Sequence, residues 1–129
     1  MNEINDAQLV AALRRQMTLA AARQIVASGN LANASTPGFR AREVDFARTL
    51  DDSLSTSLRV TNERHMQPAS AGRPDTREVE GAAARRDGNT VQIDRELLEM
   101  TRAGGDFARA QTALAAKFRL VRYAINEGK

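Results

Sequence analysis

Residues Asp94 to Asn126 read DRELLEMTRAGGDFARAQTALAAKFRLVRYAIN, and this stretch decides the fold. Leu97, Met100, Ala103, Phe107, Ala110, Leu114, Phe118, Val121 and Ile125 follow one another at spacings of 3, 3, 4, 3, 4, 4, 3 and 4. Apolar residues in near-heptad register, with charges between them, form one stripe on an α-helix and suit a coiled-coil seam or bundle face. Asp94 and Glu96 fit the positive end of the helix dipole, and Arg119 and Arg122 the negative end. Gly104-Gly105 interrupts the pattern. Two glycines cost a helix about 2 kcal/mol relative to alanines, which predicts a kink or a close contact there.

Working outward, residues 6–33 read as a second long helix. Leu9, Leu13, Met17, Ala21 and Ile25 recur every four residues, Asp6 stands at its start, and the stripe thins at Ser28-Gly29. Thr36-Pro37-Gly38 stops it, because proline drives the residue before it out of the α region and glycine supplies a turn. A long helix at each end suggests an all-α fold, with the two ends pairing as an antiparallel coiled-coil-like hairpin.

The middle of the chain is expected to be irregular and partly β. Phe46, Leu50, Leu54 and Leu58 predict a short helix over about residues 44–56, and residues 58–62 a brief strand. From Glu63 to Arg86 no period persists, which reads as a loop. Asp87-Gly88-Asn89 is a turn signal, and Val91 and Ile93 alternate before the last helix.

Composition limits the functions available. Hydrophobic residues make up 42% of the 129, but only 4% of the chain is aromatic and there is no tryptophan. Much of the apolar content is alanine, which builds helices well but buries little area per residue. The chain should therefore pack against partners. Lys+Arg 19 against Asp+Glu 16 gives a net charge of +3, with a pI near 10.2. The signs alternate along Arg42-Glu43, Asp45, Arg48 and Asp51-Asp52, whereas nucleic-acid binding asks for a clustered basic face. There is no cysteine, hence no disulfide, thiolate metal site or cysteine nucleophile. The acidic start lacks the basic and apolar regions of a secretory leader, and no stretch approaches the about 18 apolar residues of a membrane span. The expectation is a chain without membrane insertion or a cleaved leader. His65 is the single histidine and has no spaced partner to make a metal site. Asp51 and Asp52 are adjacent and so point apart on a helix, Gly88, Gly104 and Gly105 match no phosphate-binding loop, and Met17 and Met100 sit on packing stripes.

One segment carries more information: Asn30-Leu31-Ala32-Asn33-Ala34-Ser35-Thr36-Pro37-Gly38-Phe39. Two asparagines three apart share a face at the helix end, where their amides can bond backbone groups or a neighbouring chain. Phe39 can anchor the redirected chain. The segment resembles the Asn-x-Ala-Asn-x-x-Thr-Pro-Gly-Tyr signature of the bacterial flagellar axial proteins, which build the rod, the hook and the filament junctions; Phe39 replaces the usual tyrosine. Arg40 to Phe46, Thr61 with His65, and Asp87 to Glu96 resemble the rod members of that family, so the likeness covers essentially the whole chain. Gly104-Gly105 departs from the usual pattern.

The resemblance implies a structural subunit of the proximal rod of the flagellar basal body, not an enzyme, with no cofactor and no metal. It implies export from the cytoplasm by the flagellar type III system, residence in the periplasmic rod, and folding coupled to assembly. Partners would be other copies of the chain, other rod proteins, and export-gate and MS-ring adaptor proteins, without nucleic acid. Residues 1–38 and 94–129 would be axial helices and residues 39–93 a projecting central region, all in one structural unit. The motif Asn30, Ala32, Asn33, Thr36, Pro37, Gly38 and Phe39 would lie at a subunit interface. Leu9, Leu13, Met17, Ile25, Leu97, Met100, Phe107, Leu114, Phe118, Val121 and Ile125 would form the assembly stripe. Two other readings stay open: another helical axial or adaptor protein of the same apparatus, and a basic helical nucleic-acid binder, which retention on DNA at physiological salt would reveal.

Overall fold

The computed structural model describes residues 6–45 and 75–126. Its elements in chain order are α1 (Asp6–Ala32), β1 (Arg42–Val44), β2 (Thr76–Glu78) and α2 (Ile93–Ile125). The two helices pack against each other antiparallel. Lys117 of α2 reaches Asp6 at the start of α1 (2.5 Å), Asp106 lies 3.8 Å from Arg23, and Glu96 meets Asn30 (2.9 Å) where α1 ends. The result is an all-α hairpin with a small strand pair at its irregular centre.

The seam is made of alanine. Ala20 and Ala27 on α1 and Ala103 and Ala110 on α2 are buried, each pair seven residues apart. A heptad repeat keeps one row facing the partner along a helix pair, and methyl side chains let the backbones come close. Among the described residues the buried apolar ones are alanines, Val91 excepted, and the largest fully buried side chains are Asn30 and Asn89. Beside the seam, Met100, Phe107 and Leu114 of α2 and Leu13 and Met17 of α1 are half-buried.

The α1 stripe is only partly directed at the partner. Leu9 lies at the exposed margin and Ile25 is 61% exposed. The cause is geometric: each i+4 step overshoots a full turn, so four such steps wind about 160° around the helix. The row that starts against α2 ends facing away from it, and the buried row steps instead through Ala20, Ala27 and Asn30. The α2 stripe averages 3.5 residues per step and stays on one face. Its ends, Leu97, Phe118, Val121 and Ile125, are nevertheless exposed.

Further sequence expectations change. Helix α2 runs unbroken through Gly104-Gly105, and no atom lies within 4 Å of a Cβ built at either glycine. The flanking turns, held to α1 through Glu96 and Lys117, carry the two weak residues. The helix expected from residue 44 does not begin there, since Val44 belongs to β1 and pairs with Thr76. Pairing with a distant segment overrides the local pattern here. The remainder of that helix, the strand expected at 58–62 and the first part of the expected loop lie outside the described residues. Within that loop Thr76–Glu78 form β2, whose three residues are too few to show a period, and residues 79–86 are irregular as expected.

The antiparallel register sets Arg42 opposite Glu78 and Glu43 opposite Arg77. Arg77 binds one Glu43 oxygen (2.9 Å), and Arg95 of α2 lies 3.5 Å from the other, which ties the strand pair to the helix. Exposed pairs of this kind are worth roughly 0–1 kcal/mol each, so they orient the strands more than they stabilise them. Beneath the strands, Ala34, Ala41 and Val91 form a small core against which Phe39 and Val79 pack.

Candidate functional site

The segment after α1 and the segment before α2 meet in a junction held almost wholly by hydrogen bonds. Helix α1 ends by tightening: the Asn33 amide donates to Gly29 O and Asn30 O, Ala34 to Leu31 O, and Thr36 to Asn33 O. Short-range bonds of this kind satisfy carbonyls left over at a helix end. Pro37 then bars continuation, and Gly38 turns the chain at φ +72. That left-handed conformation favours glycine, because a Cβ would crowd the following carbonyl. Gly88 (φ +79) approaches from the other side, and a Cβ there would sit 3.4 Å from the Gly38 Cα. The two backbones pass in close contact, and it is the positive φ at both positions that favours glycine there.

Asn30 is the first pin. Its side-chain Oδ1 accepts from the Arg42 amide (3.0 Å), while Nδ2 donates to Arg42 O (2.7 Å) and to Glu96 Oε2 (2.9 Å). One carboxamide thus joins α1, β1 and α2. Asn33, three residues on, closes the helix end itself: Nδ2 donates to Gly29 O, and Oδ1 accepts from the Thr36 hydroxyl. Ala32, between them, is exposed, as are Thr36, Pro37 and Gly38. Phe39 is half-buried and packs on the junction core.

Asn89 is the second pin. It is wholly buried, and its Nδ2 donates to the carbonyls of Asn33 (2.9 Å), Ala34 (3.3 Å) and Thr36 (2.8 Å). Its Oδ1 accepts from the Val91 amide (2.7 Å), and its own amide donates to Asp87 Oδ1 (3.1 Å). The Arg85 guanidinium also donates to Ala34 O. Gly38 N–H to Asp87 O (2.8 Å), Thr90 N–H to Phe39 O (3.0 Å) and Ala41 N–H to Thr90 Oγ1 (2.8 Å) complete the contact. No buried side-chain N or O among the described residues lacks a partner. A closed polar set in a low-dielectric interior fixes one geometry, since any rearrangement strands a donor or acceptor.

The sequence pointed to Asn30, Asn33 and the Thr-Pro-Gly stop. It missed their partners: Asp87-Gly88-Asn89 looked like a turn and Glu96 like a dipole-matching acid. A polar residue reveals no long-range partner through local spacing, although Glu96 falls one heptad before Ala103 and so on the buried row.

Among the described residues, clefts lie on the hairpin at two places. One, of about 420 Å³, lies between the strand pair and the helices; Arg23, Arg95, Arg102, Glu43, Glu99 and Asp106 on its walls pair with one another. The other, of about 590 Å³, lies at the open end between Val10 and Ala11 of α1 and Phe118 and Val121 of α2. Among the described residues no three His, Cys, Asp or Glu side chains gather as a metal site requires. No described helix is long and apolar enough to cross a membrane. His65, Asp51 and Asp52 lie outside the described residues. The junction's hydrogen bonds hold the ends of the two helices and β1 in place.

A scaffold of this kind agrees with what the chain is similar to. Residues 11–40, from α1 through the junction turn, match the family of the flagella basal body rod protein. The class is therefore a structural protein of the rod in the flagellar basal body. The flagellar basal body rod protein FlgB of Escherichia coli (strain K12) is 35% identical over 126 residues, covering 87% of this chain and 91% of that protein. FlgB of Yersinia enterocolitica is 39% identical over 103 residues (69% and 74%), and FlgB of Salmonella typhimurium 30% over 125 residues (87% and 91%). The chain belongs to the FlgB family. Membership places it in the basal body and implies contact with other rod components.

Proposed function

We propose that this chain is a subunit of the proximal rod that polymerises through its terminal helices after export by the flagellar type III system. The observation that carries the reading is the far end of α2. Beyond Lys117, which is level with Asp6, the helix continues with Phe118, Leu120, Val121, Tyr123 and Ile125 exposed by 51, 66, 39, 63 and 74%. Phe118, Val121 and Ile125 prolong the face that Phe107 and Leu114 turn toward α1. Leu120 and Tyr123 lie round the helix from that face, so this end exposes apolar surface on more than one side, as an interaction site does. Burying such side chains against a neighbour is worth roughly 1.5–3 kcal/mol each when complete, before the ordering cost of association is subtracted.

Residues 1–38 and 94–129 are then the axial helices, with residues 39–93 projecting from them in one unit. The exposed Thr36, Pro37 and Gly38 are the part of the junction motif open to a neighbouring subunit, since the amides of Asn30 and Asn33 are engaged within the chain. Leu9, Ile25 and Leu97 add further exposed apolar side chains on other faces of the hairpin. Partners are further copies, other rod proteins, and adaptor proteins of the export gate and MS ring; neither catalysis nor a cofactor enters. Heterologous contacts repeated by one operation yield a helical tube, which suits a drive shaft.

Phe118→Asp or Ile125→Asp should abolish swimming while the subunit is still exported, because a carboxylate on this patch opposes burial. Motile cells carrying either change overturn the assembly role of the α2 end.

A further inference from the structure

The alanine seam does not itself settle how far along each other the helices lie. Ala20 and Ala27 face Ala110 and Ala103, and the rows around them continue as Leu13, Ala20, Ala27 on α1 and Glu96, Ala103, Ala110, Lys117 on α2. Sliding α2 by one heptad, about 10 Å, preserves the repeat and still forms one alanine-on-alanine layer. Methyl groups bury little area, so the apolar loss is small. A seam of this composition tolerates several registers.

The polar groups do not. In the observed register Glu96 Oε2 accepts from Asn30, and the Asn89 carboxamide caps the carbonyls that end α1. Asn30, Asn89 and Glu96 are the buried polar side chains among the described residues, and all are satisfied. Asn89 stands shortly before α2 begins, so a slip of α2 draws it away from Asn33 and Thr36. The same slip separates Glu96 from Asn30. Asn30 keeps its bonds to Arg42, but Glu96 loses its donor and Asn89 Nδ2 its acceptors, and a buried polar group left so costs more than the bond contributes when made.

We infer that Glu96 with Asn30, and Asn89 with the end of α1, form a register lock for the helical hairpin. A buried polar residue in a coiled-coil seam selects alignment in the same way, at some cost in stability. The lock is a property of the single chain and stands apart from the assembly reading. It fixes which residues of α2 lie level with Asp6, and with them the position of the apolar end.

The full chain contains no cysteine, so introduced thiols are unique reporters. Arg23→Cys with Asp106→Cys reports the observed register, where those side chains lie 3.8 Å apart. Arg23→Cys with Glu99→Cys, or with Ala113→Cys, reports a slip of one heptad in either direction. A short bismaleimide should join only the first pair in the parent chain. Glu96→Leu and Asn89→Ala should each raise the slipped products about tenfold with helical circular dichroism retained, the change expected from stranding one buried polar group. Glu96→Gln, which keeps an acceptor for Asn30, should return cross-linking to the first pair. Slipped products unchanged in both Glu96→Leu and Asn89→Ala overturn the lock. Loss of the helical signal in both also overturns it, because the residues would then act on stability rather than alignment.

Discussion

Asn89 shows how much a single side chain can hold. Its carboxamide satisfies carbonyls at the end of α1 and the Val91 amide at the approach to α2, bridging positions more than fifty residues apart in sequence. Asn89→Ala removes these bonds. The Asn33, Ala34 and Thr36 carbonyls keep the Thr36 amide, Arg85 and the Phe39 amide, but the buried Val91 amide loses its acceptor, which should lower stability by about 1–3 kcal/mol. Urea unfolding of the full chain, read as a shift of midpoint at constant slope, measures the change. A loss below about 0.5 kcal/mol, the range of an ordinary surface substitution, would show that the junction does not depend on it. Sequence alone cannot disclose such a residue. Its partners are backbone atoms, identical at every position, and only the fold brings them near.

At the scale of elements, legibility followed periodicity. The mixed three- and four-residue steps of α2 mark a face that stays in place, and its middle section packs as that pattern implies. The unvaried four-residue steps from Leu9 to Ile25 give the right element but wind off the packing face. The strands escaped notice because three residues carry no period, and because Val44 pairs with a residue far along the chain. Gly104-Gly105 was visible as a weak point, but its outcome was not. No side chain fills the space above either glycine, and both lie in a helical conformation open to any residue. Gly104→Ala with Gly105→Ala should therefore stabilise the isolated chain by about 1–2 kcal/mol through helix propensity alone. Thermal unfolding followed by circular dichroism checks this, and a lower Tm would reveal a close contact over those glycines.

For the whole molecule, the aromatic-poor and alanine-rich composition has a structural counterpart. Buried apolar side chains are small, the deepest large ones are polar, and much of the bulky apolar surface lies outside: Ile25, Leu97, Leu98 and the end of α2. Polar bonds thus hold the hairpin, while apolar area remains exposed, which the proposed assembly would cover. Little of that division was legible in advance, since a hydrophobic stripe reads the same whether it is covered by its own chain or by another. The direct test is a photo-crosslinking amino acid at Ile125 in flagellated, motile cells, with the adduct identified by mass spectrometry. The expected product joins Ile125 to another rod component. Recovery of the uncrosslinked chain alone, from basal bodies shown to contain it, would contradict the claim that this end is buried by assembly.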